Sequence, residues 1–229
     1  MVKLREALDM CRRLHGAEHR DTAAALRGTG EVNICLGKPD VALGELGEAL
    51  EIQLRVHGPD SLDVAQTRNN IAAVHHDQGK LPEALEGYKD ALRILLLRLG
   101  DESPHIAVTL NNMAVVHRQL GNLEGALEMH KEALRIKVRR LGDEHPNVAH
   151  SLMDIATVHA EQGRHEEALA GCKEALRIQR KRLGEEHPSV GTTYLNVGVS
   201  YLNVKKLDEA LVHLNRALTI HSNAGGEGS

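Results

Sequence analysis

The sequence predicts an all-α fold, a row of antiparallel helix pairs, and the main evidence is a repeat with a period of 42 residues. Four series of small residues recur at this interval in one common phase. Their members are Gly16, Gly58, Gly100, Gly142 and Gly184; Ala42, Ala84, Ala126, Ala168 and Ala210; Ala49, Ala91, Ala133, Ala175 and Ala217; and Gly37, Gly79, Gly121 and Gly163. A long fixed period is typical of solenoids, in which each unit contacts mainly its neighbours.

The composition favours the same fold class. Apolar residues make up 41% of the 229-residue chain, but aromatic residues only 1%, with no Phe and no Trp. The core must therefore consist of Leu, Ile, Val, Ala and Met, which suits closely packed helices and argues against a β-sandwich. The net charge of −4 offers no basic field for nucleic acid, so that class of partner is not expected.

The repeat register divides the chain into units. Residues 1–15 align with the second half of a repeat, since Glu6-Ala7-Leu8 matches Glu48-Ala49-Leu50. They are predicted to form the second helix of an incomplete repeat. Five fuller units are predicted at residues 16–57, 58–99, 100–141, 142–183 and 184–222. The polar, Gly-rich residues 223–229 are predicted to be a disordered tail.

Each unit is predicted to contain a first helix, helix A, then a turn and a second helix, helix B. In the third unit helix A begins near Pro104, because proline fits the first helical turn. Gly121 is expected to end that helix in a left-handed conformation, and helix B follows from Leu123 or Glu124. Small residues such as Ala126 allow the two helices to approach closely. Lys205 replaces the turn glycine in the last unit, which predicts a different turn there.

The spacing within each unit resembles the tetratricopeptide repeat, whose pattern W-x2-L-G-x2-Y precedes A-x3-F. The matching residues of the fifth unit are Tyr194, Val197, Gly198, Tyr201, Ala210, Leu214 and Ala217. The resemblance implies a right-handed superhelical solenoid of antiparallel helix pairs. The long 42-residue form is similar to kinesin light chain repeats, with its best match at residues 142–149.

This resemblance implies a scaffold for protein–protein interaction that binds a peptide segment of a partner in the concave groove lined by helix A. Its kinesin light chain form implies a cytoplasmic cargo adaptor of a microtubule motor, with a kinesin complex or its cargo as partner. The heptad coiled coil that binds the motor heavy chain is not found in this sequence. A second interpretation stays open, in which the repeats are the structural or sensor region of a larger signalling protein whose effector domain lies elsewhere.

One series on helix A comprises Asn70, Asn112, Asp154 and Asn196. The resemblance implies that an asparagine here hydrogen-bonds the backbone of the bound peptide, and an amide suits this role because it can donate and accept. Asp154 departs from the pattern and would repel an acidic peptide. The candidate peptide-binding residues are Asn70, Asn112, Asn196, Asn69, Asn111, His76, Arg118 and His150.

No enzyme, cofactor or metal site is predicted. The sequence has no GxSxG, P-loop, HExxH or dinucleotide-binding motif. His75, His117 and His159 recur with the repeat and are expected to pack between helices rather than converge on a metal ion. The three cysteines have no short spacing, and no apolar run approaches a membrane span, so we expect a reducing, cytoplasmic location. Apolar surface on the unpaired first helix is expected to allow self-association.

Overall fold

The computed structural model describes residues 2–226, which form eleven α-helices and no strand. The prediction of an all-α fold is confirmed. The helices are α1 (Val2–His15), α2 (Arg20–Cys35), α3 (Pro39–His57), α4 (Leu62–Asp77), α5 (Leu81–Leu99), α6 (Pro104–Gln119), α7 (Leu123–Leu141), α8 (Pro146–Glu161), α9 (His165–Leu183), α10 (Pro188–Asn203) and α11 (Leu207–Gly226). Helix A of the successive units is α2, α4, α6, α8 and α10; α1 and the odd-numbered helices are of type B.

The helices group into two compact units. Unit 1 spans Met1–Leu120 and unit 2 spans Gly121–Ser229. In unit 1 each helix from α1 to α6 packs against the next, and α4 also contacts the two flanking A helices, α2 and α6. In unit 2 the helices from α7 to α11 pack in sequence in the same way. Each unit thus buries its apolar residues between neighbours in the chain.

Every A helix begins with a side-chain cap. His19, Ser61, Ser103, His145 and His187 each accept a hydrogen bond from a backbone N–H of the first helical turn. Such caps satisfy one of the N–H groups that a helix start leaves without a partner. Imidazole and hydroxyl side chains therefore both cap helix A at this position of the repeat.

The turns between helices A and B share one backbone conformation. Gly121 and Gly163 have φ values of 77° and 75°, in the left-handed region where glycine carries no penalty. Lys205 adopts the same conformation with φ 61°. Its turn also keeps the same bonds: Lys206 N donates to Tyr201 O at 3.0 Å, as Arg164 N donates to His159 O at 2.8 Å. The expectation of a different turn at Lys205 is therefore wrong, because the helix packing holds the lysine in the glycine conformation.

Small residues allow the paired helices to approach closely. All five alanines of the Ala42 series are at most 2% exposed. Gly30 on α2 faces Leu46 on α3 so closely that an added Cβ atom would lie 2.8 Å from Leu46 Cγ. Gly198 on α10 faces Leu214 on α11 in the same way, at 2.7 Å. The predicted close approach of helices A and B is present in both units.

Buried polar pairs join a B helix to the following A helix. Thr67 Oγ1 donates to Gln53 Oε1 at 2.7 Å, and both residues are at most 2% exposed. Thr193 makes the equivalent bond to Gln179 at 2.5 Å. These bonds satisfy amides that would otherwise be costly to bury.

The two ends of the chain differ from the inner repeats. On α1, Met10 and Leu14 are 57% and 70% exposed, so the first helix carries the apolar surface expected of it. At the other end α11 continues to Gly226, beyond the predicted repeat end at residue 222, whereas residues 227–229 lie outside the described residues. No helix among the described residues is both long and apolar enough to cross a membrane.

Candidate functional site

A cavity of about 290 Å³ lies on the A helices of unit 1. We call it the amide cavity, because asparagine and glutamine side chains dominate its polar wall. Its lining residues are Arg27 and Glu31 from α2, Gln66, Asn69, Asn70 and Ala73 from α4, Leu95 from α5, and His105, Val108, Thr109 and Asn112 from α6. The structure therefore brings three predicted residues, Asn69, Asn70 and Asn112, into one site.

Hydrogen bonds orient two of these amides. Asn70 Nδ2 donates to Glu31 Oε1 at 2.8 Å, which links α4 to α2. Asn69 Nδ2 donates to Thr109 Oγ1 at 3.1 Å, and the hydroxyl lies 3.2 Å from Asn69 Oδ1, which links α4 to α6. An amide has two N–H donors and an oxygen with two lone pairs, so each side chain keeps capacity for a further partner.

Asn112 reaches a buried phenol. Its side chain hydrogen-bonds Tyr88 on α5, which is 2% exposed. Burial, with a further contribution from Asp77, raises the pKa of Tyr88 to about 12, while the bond from Asn112 opposes that rise. The tyrosine is thus a neutral phenol at physiological pH, and it positions Asn112 without adding charge to the cavity.

The amide cavity is close to neutral. Its formal charges are Arg27 and Glu31, and these two pair with each other at 3.1 Å along α2. An apolar edge is supplied by Ala73, Leu95 and Val108. Such a surface can hydrogen-bond a neutral group and cover small apolar side chains, but it offers no field for a strongly charged ligand.

Asn196 lies in a separate cavity of about 310 Å³ within unit 2. This cavity is lined from α8 by Met153, Ala156, Thr157, Ala160 and Glu161, from α9 by Cys172, and from α10 by Asn196, Val199, Ser200 and Asn203. Asp154, the acidic member of the series, is exposed on α8 and does not line it. The repeat therefore places asparagine in a cavity in both units, but with different neighbours.

The other four predicted residues do not line these two cavities. His76 Nε2 lies 3.0 Å from Gln119 Oε1, a contact between α4 and α6. Asn111 and Arg118 are half-buried on α6, and His150 is exposed on α8. Their role in peptide binding stays a prediction that the geometry does not support directly.

Two cavity residues that were not predicted, Gln66 and Val108, could have been found from helical spacing. Gln66 and Val108 each lie four residues before a predicted asparagine, Asn70 and Asn112, and so share its helix face. Thr109 could not be found in this way. The equivalent residues of other repeats, Thr67 and Thr193, bond to the preceding B helix. Only the structure shows that Thr109 bonds Asn69 instead.

The histidine series lies on the A helices α4, α6 and α8, where His159 is buried and His75 and His117 are half-buried. Burial lowers the pKa of His159, which is 8% exposed, and the cations Arg164 and Lys131 lower it further. Burial and Lys89 lower the pKa of His117 as well. Within the described residues neither they nor His75 belongs to a group of three convergent ligand atoms. The lowered pKa values favour the neutral imidazole form of His117 and His159 at physiological pH.

Comparisons with known proteins agree with this geometry. No curated protein matches the chain. The crystal structure of BtubC (BKLC) from P. vanneervenii has a TM-score of 0.85 at 21% identity, covering 98% of this chain and 91% of that one. The TPR-like repeats of a Podosopora anserina kinesin light chain give 0.79 at 20% identity, covering 90% and 98%. MamA gives 0.63 at 16% identity, covering 91% and 97%.

At these identities the solved structures show the fold alone, whereas a match to a family model shows family membership. A model described as tetratricopeptide repeat matches residues 3–53, 35–96, 105–170 and 151–223, which together span most of the chain. The eleven helices of the described residues and the 42-residue period fit that description. The chain belongs to the tetratricopeptide repeat family.

Proposed function

We propose that this protein binds an uncharged, extended segment of a partner protein in the amide cavity. Tetratricopeptide repeat proteins are generally non-enzymatic scaffolds for protein–protein interaction. The observation that supports this site most is the meeting of Asn69, Asn70 and Asn112 from two A helices in one neutral cavity. Amide side chains can pair with both the N–H and the C=O groups of an extended backbone.

The charge balance of the cavity supports a neutral segment rather than an acidic or basic one. Because Arg27 and Glu31 pair with each other, the two formal charges of the cavity cancel. Binding should then depend little on salt, since screening acts on unpaired exposed charges. The exposed Val108 at the apolar edge would cover a small aliphatic side chain of the segment.

The experiment begins with selection of displayed random peptides against the full chain. The affinity of a selected peptide is then measured by calorimetry with the wild type and with Asn70→Ala and Asn112→Ala. Loss of one hydrogen bond of about 1 kcal/mol corresponds to a roughly fivefold weaker affinity for each variant. Asn147→Ala, at an exposed asparagine outside the cavity, is the matched control and should bind as the wild type does.

Two results would contradict the proposal. One is a peptide whose affinity is the same for all three variants and the wild type, because the site would then lie elsewhere. The other is an affinity that falls steeply with salt, since this would indicate charge recognition that the cavity does not provide.

We further propose that the repeats select cargo in the manner of a kinesin light chain. Support comes from the 42-residue unit and from the likeness to the Podosopora anserina kinesin light chain repeats. The three free cysteines, Cys11, Cys35 and Cys172, agree with the cytoplasmic location that this role requires. Copurification of the full-length gene product with a kinesin motor tests this role. A signalling protein would instead carry a nucleotide-binding or kinase domain and would not copurify with a kinesin motor.

A further inference from the structure

Three metal-binding side chains converge where α1 ends and α2 begins. His15 is the last residue of α1, His19 caps α2, and Asp21 lies in the first turn of α2. One ligand atom from each lies within 4.8 Å of the other two. The two imidazole rings stack with centroids 4.6 Å apart and an interplanar angle of 19°, so they would turn out of this stack to direct both lone pairs at one ion. This is the one group of three such side chains that the described residues contain.

A single carboxylate oxygen faces both rings. Asp21 Oδ2 lies 3.7 Å from His15 Nε2 and 3.5 Å from His19 Nδ1. With zinc–ligand distances of about 2.1 Å and tetrahedral angles, neighbouring ligand atoms of a zinc site lie about 3.4 Å apart. Two edges of the triangle therefore already have nearly the length that a zinc ion would require.

Two neighbouring contacts, one to Asp21 and one to His19, would change when a cation binds. Arg20 Nε lies 3.6 Å from Asp21 Oδ1, so the arginine occupies the carboxylate oxygen that faces away from the rings. His19 Nδ1 accepts a hydrogen bond from Asp21 N at 3.2 Å and therefore carries a lone pair rather than a proton. A metal ion at this nitrogen would replace the N–H as the partner of that lone pair.

The second repeat provides an internal comparison. His57, Ser61 and Asp63 stand 42 residues after His15, His19 and Asp21. His57 Nε2 lies 3.8 Å from Asp63 Oδ2, so the first pair is reproduced there. Ser61 caps its helix as His19 does, but it supplies a hydroxyl instead of an imidazole. The two loops thus differ by one ligand at the same backbone position.

We propose that His15, His19 and Asp21 bind a divalent zinc ion, with water in the fourth position. Two imidazole nitrogens and one carboxylate are a donor set that zinc accepts in three-ligand protein sites. The ion would join the end of α1 to the start of α2 and so fix the first helix against the rest of unit 1. This site is independent of the amide cavity, none of whose lining residues belongs to it.

The test is calorimetric titration of ZnCl₂ into the untagged, chelator-treated full chain. We expect one tight equivalent, and cobalt substitution should give the visible absorption of a tetrahedral ion. His19→Ser keeps a capping side chain, as Ser61 shows, and should weaken the tight site about tenfold or more, as should Asp21→Asn. His145→Ser removes another capping histidine outside the cluster and should bind as the wild type does.

A gain of binding provides a second, independent readout. Ser61→His completes the triad with His57 and Asp63 and should raise the number of tight zinc ions from one to two. The proposal is overturned if His19→Ser binds as tightly as the wild type. It is also overturned if only weak binding is found and falls equally in His19→Ser and His145→Ser, since that would be the scattered affinity of surface histidines. Circular dichroism of each variant identifies any that has lost its fold, and the Ser61→His result then decides.

Discussion

Two glycines on α2 allow the contact between helices A and B to be measured. Gly28 has no atom within 4 Å of a Cβ atom built upon it, whereas a Cβ atom on Gly30 would lie 2.8 Å from Leu46 Cγ and 2.9 Å from Leu46 Cδ2. Both glycines are in the interior of the same helix, so changing either to alanine should gain the same helix propensity of about 1 kcal/mol. The difference between Gly28→Ala and Gly30→Ala therefore isolates the packing term.

We expect Gly28→Ala to stabilise the protein by up to about 1 kcal/mol. Gly30→Ala adds an overpacking cost of about 1–3 kcal/mol, because Cγ is the branch point of the fully buried Leu46 and cannot swing aside. The two variants should then differ by about 1–3 kcal/mol in the free energy of unfolding. Urea denaturation followed by circular dichroism at two wavelengths gives the difference and checks whether the transition is two-state.

The other repeats indicate how this cost can be relieved. Leucine lies sixteen residues after glycine in the pairs Gly30–Leu46 and Gly198–Leu214. Where alanine replaces the glycine, at Ala72, Ala114 and Ala156, the residue at that spacing is Tyr88, His130 or Cys172, none of which has a tetrahedral branch point at Cγ. Leu46→Cys should therefore cost less in the Gly30→Ala background than in the wild type, a coupling that a double-mutant cycle measures. Equal stability of Gly28→Ala and Gly30→Ala, with no coupling to position 46, would refute the argument.

Three further predictions concern the turns, the buried polar pairs and the histidines. Lys205→Gly should raise the free energy of unfolding by about 0.5–1 kcal/mol, because lysine at φ 61° is strained, while Lys206→Gly should not; a urea midpoint that is unchanged in both would contradict this. Thr67→Val should cost about 1–3 kcal/mol, because buried Gln53 Oε1 loses its donor, and the exposed Thr157→Val is the control in the same denaturation assay. Burial lowers the pKa of His159 below its usual 6.5, so the unfolded chain takes up a proton first as the pH falls, and stability present above pH 6.5 is lost below it. His159→Gln should flatten the pH dependence of stability just below 6.5, and an unchanged slope there would count against it.

The repeat made most of the fold predictable from the sequence. Pro104 and Gly121 mark the start of α6 and the end of its turn as expected, because proline and glycine act through local backbone geometry. Lys205 shows the limit of local reasoning. Its side chain disfavours the left-handed conformation, but the packing of α10 against α11 imposes it, and this tertiary effect has no local signal.

The candidate site was predictable only in part. The period aligns Asn70 with Asn112, the resemblance to tetratricopeptide repeats implied a peptide contact at this position, and both residues line the amide cavity. Their hydrogen bonds to Glu31 and Tyr88 depend on which helices become neighbours and on side-chain rotamers, which the period does not determine. The triad of His15, His19 and Asp21 was missed for a related reason. It lies across a loop between two helices, where the helical spacing used to group residues does not apply.

One core position links the packing of unit 1 to the amide cavity. Leu95 stands 42 residues after Gln53 and so occupies the equivalent position of the next repeat, on the B helix that precedes Thr109. Leu95 is 2% exposed and cannot accept a hydrogen bond. Thr109 consequently pairs with Asn69 rather than with the preceding B helix. Leucine in the core thus frees the hydroxyl that orients an amide in the cavity.

Leu95→Gln should reverse this arrangement. The new amide would accept from Thr109 as Gln53 accepts from Thr67, and Asn69 would lose the partner that fixes its rotamer. We expect the side-chain NH₂ resonances of Asn69 to shift and narrow in NMR spectra, and a peptide that binds the cavity to weaken about threefold to tenfold. Gln53→Leu is the inverse change outside the cavity and should leave the Asn69 resonances in place. If Leu95→Gln also left the Asn69 resonances unchanged, residue 95 would not determine the hydrogen-bond partner of Thr109. The proposed link between core and cavity would then be wrong.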